Sequence, residues 1–310
     1  MKISLVTGGA GFIGSHLCEA LLEKGNTVFC VDNFCTGNRE NVKPFIKNKA
    51  FHLITHDITT PIKIKGPIDQ IYNLACPASP VDYQNIPIET LLVCAEGVKN
   101  MLDLAVQKKA VFLHTSTSEV YGDPLKHPQR EDYFGNVNCI GPRSCYDEGK
   151  RFAESLIMNY KNQFNLDIKI VRIFNTYGPF MRKNDGRVIP NFISQALNNE
   201  PITLYGDGSQ TRSFCYVSDL IDGFMSMMEC AGFSGPVNLG NPHEISIKTL
   251  AEKIIQLTQS KSELVYRSMP KDDPKVRCPD ITLAHEKLNF SPKVELEKGL
   301  QLTLDWFRKE

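Results

Sequence analysis

The chain has 310 residues, with 35 basic and 35 acidic side chains, 42% hydrophobic residues and 10 cysteines. This composition is typical of a folded globular protein and excludes a peptide-sized or disordered chain. A formal net charge of zero gives no overall field that would gather a nucleic acid polymer or an anionic membrane. At roughly 100 to 200 residues per domain, the length is sufficient for two domains and a sizeable core.

The cysteines and the hydrophobic runs indicate the cellular compartment. The cysteines include no C-x-x-C spacing and mostly lie within apolar runs, so we interpret them as reduced thiols and expect no metal site and no disulfide. No run approaches the roughly 18 to 20 apolar residues of a membrane span, and the N-terminus enters a strand pattern at once, which leaves no room for a signal peptide. We therefore expect a cytoplasmic protein.

The first half of the chain alternates β-rich runs with helical patterns. Helices are expected at about 12–24, 87–108 and 146–164, some with apolar residues three and four apart. This alternation predicts an α/β fold with a Rossmann-type, doubly wound parallel sheet. The expected strands are residues 2–7, 27–31, 51–55, 69–74, 110–115 and 168–173.

The pattern changes after about residue 175, where turn-rich segments separate the helices. We expect residues 1–175 to form a dinucleotide-binding domain and residues 176–310 to form mainly a smaller substrate-binding lobe. Because the sequence contains no repeat and no low-complexity linker, the cleft between the two parts is the expected ligand site. The helices of the second part are expected near residues 187–199, 218–230, 246–258 and 296–308.

A glycine-rich turn follows the first strand. Gly8, Gly11 and Gly14 allow a tight turn, a close approach to a pyrophosphate and packing of the helix on the strand. The second strand ends in Asp32, close to the spacing of about 20 residues expected for an acid that binds ribose hydroxyls. Since this carboxylate would repel a 2′-phosphate, the pattern favours NAD over NADP.

Residues near these strand ends complete the expected dinucleotide site. Asp57 follows the third strand and is interpreted as lying under the adenine, with a simple strand-end cap as an equal alternative. The loop after Asp32 is expected on the adenosine side. The other expected cofactor contacts are Phe12, Ile13, Asn33, Phe34, Thr36, Gly37, Ile58, Leu74, Ala75, Tyr146 and Lys150.

Tyr146 and Lys150 lie four residues apart, on one face of an expected helix. A nearby cation lowers the pKa of a tyrosine, so the phenolate becomes a usable base at neutral pH. The spacing is common by chance, but behind a dinucleotide fingerprint it indicates the base of an alcohol oxidation. Thr117, Ser118 and Glu119 follow the fifth strand, at the edge where such a sheet binds its ligand, although hydroxyl-rich strand ends also cap turns.

Together these motifs resemble the extended short-chain dehydrogenase/reductases that modify nucleotide sugars. Within that family, blocks over essentially the whole chain are similar to the UDP-glucuronate decarboxylases, also called UDP-xylose synthases. The related 4,6-dehydratases carry an Asp-Glu pair after the threonine, whereas Ser118 stands here and disfavours elimination of water. The similar blocks are LACPASPVDYQ (74–84), TSTSEVYGDPLKHPQ (115–129), RSCYDEGKRFAE (143–154), RIFNTYGP (172–179), YGDGSQTRSFCYVSDL (205–220) and RCPDIT (277–282).

The resemblance implies oxidation of UDP-glucuronate at C4, loss of CO2 and re-reduction to UDP-xylose, with NAD as the bound redox cofactor. Tyr146, assisted by Lys150 and Thr117, is the implied base. Glu119 and Arg277 resemble the remaining catalytic groups, with Arg277 near the substrate carboxylate. Arg212 is the implied diphosphate partner. The implied UDP-sugar contacts are Pro77, Ser79, Tyr83, Asn175, Arg187, Tyr205, Arg212 and Arg277.

Alternatives stay open at this point. A nucleotide-sugar 4-epimerase or 4,6-dehydratase is the first, and a non-catalytic NAD-binding regulator is the second. Val93 and Cys94 stand where the family has Thr-Asn, a pair that in relatives lies near the cofactor or braces the active-site helix. The helices near 87–108 and 146–164 resemble those of a four-helix dimer interface, so a homodimer is expected.

Overall fold

The computed structural model describes residues 1–269 and 276–309. The strands are β1 (Ile3–Thr7), β2 (Thr27–Asp32), β3 (Phe51–Thr55), β4 (Gln70–Asn73), β5 (Val111–Thr117), β6 (Ile168–Ile173), β7 (Thr176–Tyr177), β8 (Ile202–Tyr205), β9 (Thr211–Ser213), β10 (Cys215–Tyr216), β11 (Val237–Leu239), β12 (Glu244–Ser246), β13 (Leu264–Arg267) and β14 (Val276–Arg277). The α-helices are α1 (Phe12–Glu23), α2 (Arg39–Val42), α3 (Pro80–Asn85), α4 (Pro87–Leu92), α5 (Val98–Lys108), α6 (Ser144–Phe164), α7 (Val188–Leu197), α8 (Val217–Glu229), α9 (Ile247–Thr258), α10 (Thr282–Leu288) and α11 (Leu296–Phe307).

Seven parallel strands form one sheet in the order β11-β6-β5-β4-β1-β2-β3. The strand order reverses between β1 and β4, which defines a doubly wound sheet and creates a crevice at the carboxyl ends of these strands. The predicted α/β fold is confirmed, and each of the six predicted strands lies within two residues of its observed bounds.

Apolar helices cover both faces of the sheet, which explains why its central strands are buried throughout. One core lies between the sheet and α1 and α8, with residues such as Leu17 and Phe224. The other core lies on the opposite face, where Leu102 of α5 and Ile157 of α6 pack. Both α1 and α6 therefore begin at the carboxyl edge of the sheet, where they border the crevice.

The helix expected over residues 87–108 contains one local widening. Its first part is α4 and its last part is α5, and a π-helical turn, Val93–Gly97, joins them. Such turns insert one extra residue into a helix and are frequent at functional sites. Cys94 lies within this turn and faces α6.

Residues beyond 175 build three small sheets, β7 with β10, β8 with β13, and β9 with β12 and β14, together with α7, α9 and α11. The same part of the chain also contributes β11, which pairs with β6 in the large sheet. This three-residue strand was not expected, because its length is too short for a periodic pattern. Among the described helices, none combines the length and the hydrophobicity that crossing a membrane requires.

Candidate active site

A cavity of about 950 Å³ opens at the carboxyl edge of the large sheet, between β1, β2, β4 and β5 and the C-terminal part of the chain. Doubly wound sheets bind their ligands at this position, and the volume lies within the usual range of ligand pockets, about 300–1,000 Å³. Every site residue expected from the sequence borders the cavity except Phe34.

Two glycines of the turn between β1 and α1 leave no room for a side chain. A Cβ on Gly14 would lie 2.1 Å from the carbonyl oxygen of Gly8, and Gly8 itself has a φ of +67°. Gly11 is the N-cap of α1 and provides no side chain to cap the helix. The first-turn amides of α1 border the cavity, where amides at a helix N-terminus bind anions such as phosphates.

Asp32 lies at the end of β2 with its carboxylate held in place by two backbone amides. Its oxygens accept hydrogen bonds from Ala10 N, at 2.9 Å, and from Phe34 N, at 2.8 Å. Burial raises the pKa of Asp32, whereas these two bonds act in the opposite direction. Phe34 therefore contributes its amide, while its ring packs under the Arg39 guanidinium, 4.0 Å from the ring centroid.

Asp57 caps a turn and also borders the cavity. Its carboxylate accepts hydrogen bonds from the amide and hydroxyl of Thr59, at 2.9 and 2.7 Å, which is a turn cap. It also accepts one from Asn33 Nδ2, at 2.9 Å, and it borders the cavity. Although partial burial raises the pKa of Asp57, the hydrogen bonds from Thr59 and Asn33 lower it below its ordinary value.

Tyr146 and Lys150 extend from the first turns of α6 into the same wall of the cavity. The Tyr146 ring stacks on Tyr83, with 5.0 Å between centroids and 3° between planes. Lys150 Nζ donates a hydrogen bond to the carbonyl oxygen of Thr115, at 2.8 Å, and lies 5.8 Å from the Tyr146 ring centroid. Packing and one charged hydrogen bond thus fix the relative positions of phenol and ammonium.

The electrostatic environment of the phenol differs from the one expected. Burial raises the pKa of Tyr146 well above its ordinary value, Cys76 adds to that effect, and a hydrogen bond with Thr117 lowers it. The pKa of the phenol is therefore raised, whereas the spacing to Lys150 predicted a lowered pKa, and desolvation of the phenolate is the largest cause.

Glu119 lies between two arginines. Its Oε2 accepts hydrogen bonds from Arg143, at 2.6 Å, and from Arg277, at 3.2 Å. Burial raises the pKa of this carboxyl, but the two guanidinium charges outweigh burial and hold the pKa at about 2. Glu119 is therefore ionised at neutral pH and cannot donate a proton there. The sequence analysis did not single out Arg143, which directly precedes α6.

Strand pairing explains how Arg277 reaches this position. β14 pairs with β9 so that Arg277 lies opposite Arg212, which brings two distant arginines to one side of the cavity. The Arg277 side chain is only 1% exposed. Its Nε and Nη1 have no hydrogen-bond partner among the described residues. Buried N–H groups of a guanidinium that remain unpaired at a cavity wall favour an anionic ligand.

The remaining expected residues also border the cavity. The Ser79 hydroxyl donates to the carbonyl oxygen of Asp185, and Arg187 forms an ion pair with the carboxylate of the same aspartate. Tyr205 is 45% exposed, at the mouth. Ser118 is buried in the 3-10 turn after β5. The other expected residues on these walls are Pro77, Asn175 and Arg212.

The sequence analysis also overlooked Asp147, a buried carboxyl on α6. Burial raises its pKa to about 8, and the Glu119 carboxylate adds to that effect. An aspartate in an unfolded chain titrates at about pH 4. Between about pH 4 and 8, Asp147 is therefore protonated in the folded chain and ionised in the unfolded chain. Stability therefore falls as pH rises through this window.

We expect Asp147→Asn to remove this pH-dependent loss of stability, because the asparagine amide stays neutral from pH 4 to 8. At pH 8 the Tm of the variant should exceed that of the parent by more than about 2–4 °C, the shift that about 1 kcal/mol produces, and the difference should shrink towards pH 5. Thermal unfolding across this range measures it. Glu148→Gln is the control, since Glu148 is a half-exposed neighbour on α6 that pairs with Arg151. A difference that does not change with pH would contradict the prediction.

Comparison with known proteins agrees with this architecture. The sequence profile of the NAD dependent epimerase/dehydratase family matches residues 4–240. The chain belongs to this family. The chain is 53% identical over 305 residues to UDP-glucuronic acid decarboxylase 2 of Arabidopsis thaliana, covering 98% of this chain and 68% of that protein. It is 52% identical over 309 residues to UDP-glucuronic acid decarboxylase 1 of Xenopus tropicalis, covering 100% and 73%.

Solved structures of family members have the same fold. UDP-glucose 4-epimerase from Thermotoga maritima, solved with UDP-glucose, superimposes with a TM-score of 0.90 at 28% identity, covering 99% of each chain. UDP-glucuronic acid 4-epimerase from Bacillus cereus, solved with UDP-glucuronic acid and NAD, superimposes with a TM-score of 0.89 at 29% identity, also covering 99% of each chain.

The residues of this chain fit the cofactor of the family. The bare turn at Gly8 to Gly14 and the uncapped N-terminus of α1 provide space and amides for a pyrophosphate. Asp32 is fixed at the end of β2, and a Cβ on Gly37 would lie 2.8 Å from its carboxylate. The fixed carboxylate suits the ribose hydroxyls of NAD, and its charge opposes a 2′-phosphate.

Proposed function

We propose that this chain converts UDP-glucuronate to UDP-xylose and CO2, with NAD as a bound redox cofactor. The relatives that share about half of its residues are named UDP-glucuronic acid decarboxylases. The structural observation that carries the proposal is the buried Arg277 guanidinium, whose Nε and Nη1 lack partners among the described residues. A sugar carboxylate would accept a hydrogen bond from one of these unpaired groups, since a guanidinium donates strong, charge-assisted hydrogen bonds to carboxylates.

Tyr146 accepts the proton of the sugar C4 hydroxyl in the proposed first step. Because burial raises the pKa of this phenol, the phenolate depends on stabilisation by the Lys150 charge and by the hydrogen bond with Thr117. When bound, NAD supplies the hydride acceptor for C4 and later the hydride donor. The sugar then carries a ketone at C4 and a carboxylate on C5, which makes it a β-keto acid.

Breaking of the bond between C5 and the carboxylate releases CO2 and leaves an enolate. The phenol of Tyr146 stabilises the enolate oxygen by hydrogen bonding. Arg277 holds the carboxylate before it leaves, and Glu119 holds Arg277 in place. Since Glu119 is ionised at neutral pH, we assign the delivery of the proton to C5 to a water molecule and not to this carboxylate. Elimination of water is disfavoured, because Ser118 is not a strong general acid.

We further propose that residues 1–175 bind mainly NAD and residues 176–310 bind mainly the UDP-sugar, in the cytoplasm. Arg212 is the proposed diphosphate ligand. Asn175, Arg187 and Tyr205 bind the remainder of UDP, and Pro77, Ser79 and Tyr83 close over the sugar. All of these residues border the cavity, which supports the assignment.

A homodimer through a four-helix bundle of α4–α5 and α6 is also proposed. Apolar side chains on these helices are exposed in the single chain, including Ile88 at 62% and Phe152 at 52%. Their burial between two copies would remove this apolar surface from water. Sedimentation equilibrium tests the assembly, and replacing Phe152 with Glu should shift the protein towards the monomer.

Incubation with UDP-glucuronate and NAD, followed by NMR and mass spectrometry of the products, tests the activity. We expect UDP-xylose and CO2 in equal amounts. A 4-epimerase would instead give the C4 epimer with its carboxylate retained, and a 4,6-dehydratase or a non-catalytic regulator would leave the sugar nucleotide unchanged. The epimerase is the most informative alternative, because a structural neighbour of that activity contains UDP-glucuronic acid.

A further inference from the structure

Two cysteines of the cavity wall lie side by side. Cys76 follows β4 by three residues, and Cys94 lies in the π-helical turn between α4 and α5. Their Sγ atoms are 3.6 Å apart, which is van der Waals contact. A disulfide requires about 2.05 Å, so the two sulfurs must approach each other by about 1.5 Å to form the bond.

The two thiols differ in accessibility. Cys76 borders the cavity and packs against Tyr83 and Tyr146. Cys94 is only 2% exposed and packs on α6 at Gly149, where an added Cβ would lie 3.1 Å from its sulfur. A small solute that enters the cavity therefore meets Cys76 first, with Cys94 directly behind it.

The electrostatic environment makes Cys76 the nucleophile of the pair. The hydrogen bond from Cys94 lowers the pKa of Cys76, burial opposes this, and the Lys150 charge lowers it further, to about 7. The pKa of Cys94 is raised well above its ordinary value by the same hydrogen bond and by burial. A substantial fraction of Cys76 is therefore thiolate near neutral pH, and the thiolate is the reactive form of cysteine.

We propose that Cys76 and Cys94 are a modification site, at which a peroxide oxidises Cys76 and Cys94 closes a disulfide in the cavity wall. The Cys76 thiolate attacks one oxygen of hydrogen peroxide, the O–O bond breaks, and the departing hydroxide takes a proton to form water. Cys94 then loses its proton and attacks the sulfenic acid sulfur of Cys76, and the S–O bond breaks to release a second water. The two sulfurs lose two electrons to the peroxide.

A second thiol pair in the same chain is an internal control. Cys18 and Cys30 are hydrogen-bonded to each other but are both 0% exposed, within the core between β2 and α1. Both pairs are hydrogen-bonded, whereas Cys76 borders the cavity and neither Cys18 nor Cys30 does. We expect peroxide to oxidise Cys76 and Cys94 and to leave Cys18 and Cys30 reduced.

Peptide mass spectrometry tests the proposal without reference to the reaction that the cavity catalyses. Cys76 and Cys94 lie in one tryptic segment, residues 66–99, because neither Lys nor Arg occurs between Gly66 and Val98. After treatment with a small excess of hydrogen peroxide and alkylation, this segment should lose two hydrogens and take up no alkyl group. Dithiothreitol should restore both alkylation sites. Activity should fall with the disulfide and return with reduction, since Cys76 adjoins Tyr146.

Two variants sharpen the result. In Cys94→Ala the attacking thiol remains but the disulfide cannot form, so Cys76 should accumulate as a sulfenic acid that dimedone labels. Cys139→Ser removes an exposed cysteine and should still form the disulfide. The proposal is overturned if Cys76 and Cys94 stay alkylatable while Cys35 and Cys139 are oxidised, or if segment 66–99 is instead linked to Cys145. If Cys94→Ala does not fold, peptide mass spectrometry of the oxidised parent protein is sufficient to test the proposal.

Discussion

Tyr146→Phe is expected to lower kcat for CO2 release by about 1,000-fold, within the range for removal of a general base. The substitution removes only the phenolic oxygen, and the phenylalanine ring preserves the stack on Tyr83, which lies 5.0 Å away in the parent. Binding of NAD and UDP-glucuronate should therefore be retained, since the lost step is proton transfer from the C4 hydroxyl. Steady-state assays with UDP-glucuronate and separate binding titrations measure the two effects.

Tyr160→Phe is the matched control for this substitution. Tyr160 lies on the same helix, α6, and its hydroxyl bonds to Asp103 at 2.6 Å, near the protein surface. Loss of this hydroxyl should leave kcat within about twofold of the parent. If Tyr146→Phe retained more than a tenth of the parent activity, Tyr146 would not be the base of the reaction.

Glu119→Gln is expected to destabilise the chain by about 3 kcal/mol, because it leaves the buried Arg277 without its counter-charge. It should also lower kcat about 100-fold, since Arg277 would lose the anchor that positions it for the sugar carboxylate. The stability that the charged carboxylate contributes is present above about pH 4.5 and is lost as pH falls through about 2. Urea unfolding at pH 7 and at pH 3 measures the stability difference, which should be smaller at pH 3.

Glu154→Gln is the control that separates the loss of stability from the loss of activity expected for Glu119→Gln. Glu154 forms a bidentate ion pair with Arg172, with N–O distances of 2.9 and 2.7 Å, and both side chains are largely buried. The variant should lose a similar amount of stability and keep kcat within a few-fold of the parent. If both glutamine variants lost activity in parallel with stability, Glu119 would have only a structural role.

Local sequence patterns were sufficient to predict six of the seven strands of the large sheet and much of the cofactor cavity. Six strands, the turn at Gly8 to Gly14 and the helix of Tyr146 and Lys150 depend on residues that are close in sequence. The hydrophobic runs are continuous because both faces of the sheet are covered. The acid at Asp32 was predictable for the same reason, since its spacing from the glycines follows from one strand, one turn and one helix.

Features that depend on contacts between distant segments were not predictable in this way. The Glu119 cluster joins Arg143 with Arg277, which β14 brings to the cavity through its pairing with β9. The raised pKa of Tyr146 depends on burial, which the spacing to Lys150 does not encode. Cys94, which contacts Cys76, lies in a π-helical turn, and no periodic pattern in the sequence indicated that turn.

NMR of the product formed from UDP-glucuronate in D2O tests the proposed decarboxylation most directly. The proposed mechanism predicts UDP-xylose with one deuterium at C5, where a solvent proton replaces the lost carboxylate. The same product should retain protium at C4, because the hydride removed from that carbon returns to it. Release of CO2 with deuterium at C4, or a C4 epimer that still carries its carboxylate, would contradict the assignment of this cavity as the site of a redox-neutral decarboxylation.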